Sequence, residues 1–329
     1  PKTPFETTMT DSSNPNPTLI QALKDGTARV GVLCGGLSSE RDISFKSGKA
    51  VATALKSKGY NVVTIDVGRD LPKRLREERV DVAWIALHGS FGEDGCTQGM
   101  LEIMGIPYTG SGPARSAAAM DKITTKRLLE GSAVMLPGDC TWNPNEARPS
   151  DLALPVVAKH PQGGSTIGVY LCHTQDELDA ALTECANDVE EVLIEQLISG
   201  DEITVAVLDG KALPVVLIRP DTGFFDFEAK YTKGRTEYLV PAPISEHAKN
   251  SAQTQAVIAY RKLGLSGVAR ADFIVDDKNI PWFLEINTIP GMTATSLTPM
   301  AANATGISFE NLVEHLLLDA KLHLSPANQ

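Results

Sequence analysis

Two apolar runs late in the chain, Ala269-Arg270-Ala271-Asp272-Phe273-Ile274-Val275 and Trp282-Phe283-Leu284-Glu285-Ile286-Asn287, flank the polar stretch Asp276-Asp277-Lys278-Asn279. That pattern predicts a β-hairpin. Side chains alternate faces along a strand, so Arg270 and Asp272 share one face, and Glu285 and Asn287 share one face of the returning strand. A register with Asp272 opposite Glu285 also sets Arg270 opposite Asn287, gathering four polar groups on one side of an otherwise apolar hairpin. Burying them uncompensated costs roughly 2 kcal/mol or more per group, which predicts a charged guest. Two carboxylates and an amide oxygen suit Mg²⁺, which keeps waters and phosphate oxygens as its remaining ligands. Arg270 would then face the phosphate; the competing assignment is an internal ion pair of Arg270 with Asp272 or Glu285.

Upstream, apolar runs alternate with helical periodicity. The strand Arg29–Cys34 ends in Gly35-Gly36 and leads into a helical stretch over 39–58; strands over 61–67, 81–88 and 106–108 alternate with helices near 71–79 and 97–104. This is the signature of a parallel, doubly wound α/β sheet, and it places a first, Rossmann-like domain at 29–110. An Ala/Lys/Leu-rich helix over 113–133 opens a second, β-rich domain at 111–197. Its strands 154–159 and 167–171 flank the glycine-rich turn His160-Pro161-Gln162-Gly163-Gly164-Ser165-Thr166. A third domain, 198–325, holds the strand 203–208, an aromatic and charge-mixed segment over 222–241 without a clean period, a helix over 245–263, the hairpin and an amphipathic helix over 309–322. Long segments without a period are often lids. The first 28 residues have the composition of a flexible tail.

Composition narrows the partners. The 329 residues are 42% apolar, with net charge −11 and a pI near 5.1. That excess of acid argues against nucleic acid or an anionic membrane as the main partner. No run reaches the roughly 18 apolar residues of a membrane span, and the opening residues lack an apolar signal core, so a cytoplasmic location is expected. Five widely spaced cysteines without a CxxC pair suit reduced thiols.

Several loops carry candidate chemistry. Gly35-Gly36-Leu37-Ser38-Ser39-Glu40 lacks the G-x-G-x-x-G spacing of a dinucleotide site, which leaves a nicotinamide oxidoreductase the weakest reading. Glu40 would repel a pyrophosphate and suits an ammonium, or it complements the dipole of the helix it opens. His88 follows a strand's carboxyl end, where open α/β sheets place ligands. The glycine-rich turn can close backbone N–H groups over phosphates. Glu195, and Glu202 seven residues later, could read an adenine amino group and ribose hydroxyls, or be solvated.

Gly35–Ser44, His88-Gly89 with Gly92-Glu93-Asp94-Gly95, Tyr108–Gly112, Met120-Asp121-Lys122, Glu228-Ala229-Lys230-Tyr231, and Glu285–Thr288 with Pro290–Thr293 resemble, in collinear order over about residues 28 to 323, the D-alanine–D-alanine ligases. The resemblance implies an ATP-grasp fold of three α/β domains with ATP held between the central and C-terminal ones. It also implies ATP-driven joining of two D-alanines through an acyl phosphate, for peptidoglycan, by a homodimer using ATP and Mg²⁺, two ions in number and replaceable by Mn²⁺. Under it Asp272, Glu285 and Asn287 hold the metal, and Arg270 with the Gly291 N–H stabilises the oxyanion of acyl transfer. Lys122 and Lys159 meet the ATP phosphates, Glu195, Gln196 and Ile198 line the adenine, and Glu202 meets the ribose. Glu40 takes the first D-alanine's ammonium with His88 nearby. Lys230 and Ser296 hold the second substrate's carboxylate and the phosphate side. Ser165 and Tyr231 hydrogen-bond with Glu40 and close a lid, and Tyr231 favours an amino acid in the second pocket. His160 and Gly163 depart from the family's usual Pro and acid, and Gln196 replaces a common lysine, so altered nucleotide affinity is expected. The alternatives are a relative using D-serine or D-lactate as second substrate, or a non-catalytic nucleotide-binding regulator.

Overall fold

The structure, a computed structural model, describes residues 17–150, 152–163, 168–186, 189–220 and 236–324. Three sheets organise it. In the first, β1 (Arg29–Cys34) lies between β2 (Asn61–Asp66) and β3 (Val82–Ile85), all parallel, with Val30 opposite both Val62 and Val82. A central parallel strand is covered on both faces, which is why β1 reads as an unbroken apolar run and is buried at every position after Arg29. The expected strand over 106–108 is reduced to single bridges made by Tyr108.

The stretch expected to be tail folds from Pro17. Helix α1 (Pro17–Lys24) buries Leu23 against the core that contains Leu55 and Tyr60. Helix α2 (Arg41–Ser57) then crosses the first sheet; α3 (Leu71–Glu77) and α4 (Cys96–Met104) follow. The helix expected over 113–133 is two helices, α5 (Pro113–Met120) and α6 (Lys122–Leu129), because Asp121 takes an extended conformation and its carboxylate caps the Thr124 N–H at 2.8 Å. An N-cap side chain satisfies a backbone donor that the helix start leaves open. The break turns Lys122 into the first residue of a helix.

The second sheet is antiparallel, in the order β4 (Asp139–Trp142), β7 (Val192–Gln196), β5 (Val156–Lys159), β6 (Val169–Cys172). Helix α7 (Gln175–Cys185), opened by a Thr174–Glu177 capping box, covers one face of it. Residues 164–167, including Ser165, fall outside the described residues, as do 221–235 with Lys230 and Tyr231.

The third sheet runs β11 (Thr236–Leu239), β10 (Val216–Pro220), β8 (Asp201–Leu208), β12 (Val268–Val275), β13 (Pro281–Asn287), with β9 (Lys211–Ala212) beside β8. Its inner face packs Ile203, Val205, Ala269, Ala271 and Phe273 against helix α8 (Glu246–Lys262), whose Ala248, Ala252, Ala256 and Ala259 recur at helical spacing and are fully buried. Alanines along that stripe let the helix approach the sheet closely. The opposite face carries the polar residues. At one end it is covered by α9 (Leu297–Asn303) and α10 (Phe309–Leu318), whose Leu312, Val313 and Leu317 join Val268 and Ala206 in one core with Val30, Val51 and Leu55 of the first unit. Among the described residues no helix is long and apolar enough to cross a membrane.

Candidate active site

The hairpin has the register its polar pattern demands: Asp272 faces Glu285 and Arg270 faces Asn287. Beyond that point the pairing shifts by one residue, so that Phe273 faces Phe283 rather than Leu284. Strict alternation would put Phe283 and Glu285 on the same face. The bulge at this step sends Phe283 into the α8 core, edge-on to Phe273 at 5.6 Å between ring centroids, and Glu285 into the cleft. Bulges commonly re-aim side chains beside active sites.

On the cleft face β8 contributes Glu202, Thr204 and Ala206, opposite Ile274, Asp272 and Arg270. Asp272 is held by three donors. Thr204 Oγ1 donates to Oδ1 at 2.6 Å, and Arg270 grips both oxygens, Nε to Oδ1 at 2.9 Å and a terminal nitrogen to Oδ2 at 2.7 Å. The ion pair posed as the competing assignment, Arg270 with Asp272, is therefore formed. Asn287 accepts the Ile289 N–H at 2.8 Å and so starts the turn that carries Gly291. Among the described residues no three His, Cys, Asp or Glu side chains gather as a metal cage. Two carboxylates and an amide fit Mg²⁺ all the same, since that ion keeps water and phosphate ligands.

Across the cleft, the Lys122 ammonium lies 3.0 Å from Glu285 Oε2 and donates to the Gly163 carbonyl at 2.6 Å, tying the glycine-rich turn to the hairpin. Glu40, the residue before α2, makes no capping bond with its side chain and is 8% exposed. It lies against Gly89, where a Cβ would come 2.9 Å from Glu40 Oε2; the left-handed φ of 69° and this close approach both require glycine.

His88 lines the same cleft. Its Nε2 is 3.1 Å from Ser47 Oγ, the same oxygen accepts the Met292 N–H at 3.2 Å, and the ring also hydrogen-bonds the Ile289 backbone. Burial holds the imidazole down at about 4, so it is neutral at pH 7. Ser47 and His88 clamp both ends of the turn that presents Gly291. Glu93, buried beside them, accepts the Gly89 N–H at 2.7 Å; burial and the neighbouring Glu40 carboxylate push it up to about 8. Ser296 Oγ accepts the Thr293 N–H at 3.1 Å, and a Cβ on Gly291 would approach it to 3.2 Å.

These groups line one cleft of about 730 Å³ where the three sheets meet. It brings together Glu40, His88, Lys122, Glu202, Arg270, Asp272, Glu285, Asn287, Gly291 and Ser296. It does not include Lys159, Glu195, Gln196 or Ile198. Glu195 and Gln196 line a separate hollow of about 390 Å³ on the central sheet. Gln196 is exposed and Ile198 half-buried, whereas the Glu195 carboxylate is buried between Lys126 and Lys159. Burial pushes that carboxyl up, and the two ammonium groups more than offset it, keeping it below its ordinary range. Reading the sequence missed Ser47, Thr204 and Lys126 and gave Glu93 no role. Only Lys126 left a signal, standing four residues after Lys122 on the same helix face.

A family model described as D-ala D-ala ligase C-terminus matches residues 136–318, more than half of the chain, and one described as D-ala D-ala ligase N-terminus matches residues 71–111. A D-alanine–D-alanine ligase of Syntrophotalea carbinolica is 48% identical over 295 residues, covering 89% of this chain and 96% of that protein. One of Carboxydothermus hydrogenoformans is 47% identical over 303 residues, covering 88% and 97%. Among solved structures, a D-alanine–D-alanine ligase of Bacillus anthracis complexed with ATP superposes with a TM-score of 0.78 at 33% identity, over 89% of this chain and 96% of that one.

Proposed function

The chain belongs to the D-alanine–D-alanine ligase family, and from that premise we propose that it joins two D-alanines, coupled to ATP cleavage, into D-alanyl-D-alanine for peptidoglycan precursors. The observation that carries this reading is the hairpin register. It sets Arg270, Asp272, Glu285 and Asn287 on one face, with Lys122 and Glu40 across the same cleft.

In this reading Glu40 holds the first D-alanine's ammonium, and the substrate's carboxylate oxygen attacks the γ-phosphorus of ATP. The bond to the bridging oxygen breaks, giving ADP and D-alanyl phosphate. The amine of the second D-alanine then attacks the acyl carbon, loses a proton, and phosphate departs. Phosphoryl transfer needs positioning and charge neutralisation, supplied by Lys122, Lys159 and Lys230. Asp272, Glu285 and Asn287 would hold Mg²⁺, which when bound neutralises phosphate charge. Acyl transfer needs donors aimed at the developing oxyanion, a role for Arg270 and the Gly291 N–H, with Ser296 beside them. Glu195, Gln196, Ile198 and Glu202 would receive the adenosine, and Ser165 and Tyr231 would close over the substrates and exclude water. The domains proposed for this division of labour are 29–110, 111–197 and 198–325, working as a cytoplasmic homodimer.

Phosphate release from ATP measured with D-alanine, D-serine, D-lactate and L-alanine tests the reading. D-Alanine alone should support turnover and yield the dipeptide; turnover only with D-lactate as second substrate would overturn the specificity, and no turnover with any would overturn the activity.

A further inference from the structure

On β7 of the second sheet, the Glu195 carboxylate is 2% exposed and carries a lysine on each oxygen, Lys126 on Oε1 at 2.5 Å and Lys159 on Oε2. The two lysines are tethered differently. Lys126, 1% exposed, also reaches the Pro137 carbonyl at 3.0 Å and Asp139 Oδ1 at 3.4 Å. Asp139 in turn has Arg127 at 3.3 Å and is paired in register with Glu195 between neighbouring strands. Lys126 therefore sits in a cage of three oxygens, the Pro137 carbonyl from the loop after α6, Asp139 Oδ1 from β4 and Glu195 Oε1 from β7. Lys159 ends β5, just before the glycine-rich turn, and Glu195 is its ion-pair partner.

We propose that Lys126 is a positioning residue for nucleotide binding: its caged ammonium permanently neutralises Glu195, which frees Lys159 to exchange that carboxylate for the phosphate of an incoming nucleoside triphosphate. A buried carboxylate with a single counter-ion holds on to it, because release leaves an uncompensated charge out of water. With Lys126 fixed in place, Lys159 can leave and Glu195 keeps a partner. The idea rests on the reading of Lys159 as a phosphate ligand.

The test is calorimetric titration of ATP with magnesium into the full-length protein, with steady-state kinetics alongside, for wild type, Lys126→Met, Glu195→Gln, the double variant and Lys159→Ala. Lys126→Met should weaken ATP binding by at least about tenfold, with kcat at saturating ATP and KM for D-alanine within about twofold of wild type. On the Glu195→Gln background, where Lys159 has no charge to neutralise, Lys126→Met should change ATP affinity by less than about threefold. An unchanged affinity in Lys126→Met, a loss shared equally by kcat and the D-alanine KM, or the same loss on both backgrounds overturns the proposal. If Lys126→Met does not fold, the two Glu195→Gln proteins decide by the same threefold limit. Lys159→Ala binding ATP like wild type would instead remove the phosphate reading, and the proposal with it.

Discussion

Lys122 Nζ stands 3.0 Å from Glu285 Oε2, so a cation assigned to phosphate and a carboxylate assigned to the metal neutralise each other. The same arrangement recurs in Arg270 with Asp272 and in Lys159 with Glu195. Each pair is neutral by itself, and Glu195 carries Lys126 as a second cation. Under the proposed function, binding of a metal nucleotide would then be an exchange of partners, in which the cations would turn to phosphate and Asp272 and Glu285 to the metal.

Glu285→Ala removes an acid from that exchange and leaves Lys122 with the Gly163 carbonyl. ATP-dependent dipeptide formation should fall by at least about 100-fold, beyond what losing a ligand's supporting partner already costs at metal sites. Dipeptide yield measured by chromatography checks it, and near wild-type turnover would end the metal assignment.

Ser47→Ala deletes the oxygen shared by His88 and the Met292 N–H. An unsatisfied buried donor costs about 1–3 kcal/mol, visible as a lower unfolding midpoint. Because the clamp holds the Gly291 turn, kcat should fall more than KM for ATP rises, and Ser47→Thr, which keeps the hydroxyl, should recover part of kcat.

His88 gives a pH signature. Its folded value of about 4 lies below the ordinary 6.5, so the native state prefers the neutral ring. The stability this contributes is complete above pH 6.5 and is lost as pH falls from 6.5 through about 4. Denaturant titrations over that window should show a steeper acid loss in wild type than in His88→Asn.

Glu93 works in the opposite direction. Raised from 4.5 to about 8, it favours the protonated native state. Its contribution is complete below pH 4.5 and is lost as pH rises through about 8. Glu93→Gln, which stays neutral, should gain stability relative to wild type between pH 5 and pH 8, and a constant difference across that range would contradict the assignment.

The hairpin was legible because period-two alternation leaves polar residues nowhere to hide in an apolar strand. Its bulge was not, since which residue is left unpaired depends on Phe283 finding the α8 core. Lys126 is marked in the sequence only by its spacing from Lys122, and the tertiary fold alone brings Glu195, Pro137 and Asp139 around it. Ser47 lay inside a helical stretch with nothing to mark its partners, which arrive from residues 88 and 292. Asp121 split one predicted helix into two because a local side-chain cap outweighed the Ala/Lys/Leu propensity on either side. The helix over 17–24 was hidden by the polar residues that precede it in sequence, although its own Leu19, Ile20, Ala22 and Leu23 make an amphipathic stripe of which Leu23 is fully buried.

The core that joins Val30, Val51 and Leu55 to Leu312, Val313 and Leu317 also sets the order of events at the ribosome. The first hundred residues contain a complete parallel sheet and its helices, yet one side of α2 stays bare until α10, more than 250 residues later, has been synthesised. Contacts so distant in sequence close late and slowly. The nascent amino-terminal unit is therefore expected to keep apolar surface of α2 uncovered until residues 309–318 have been synthesised, and a chain cut before residue 309 should aggregate more readily than the whole protein.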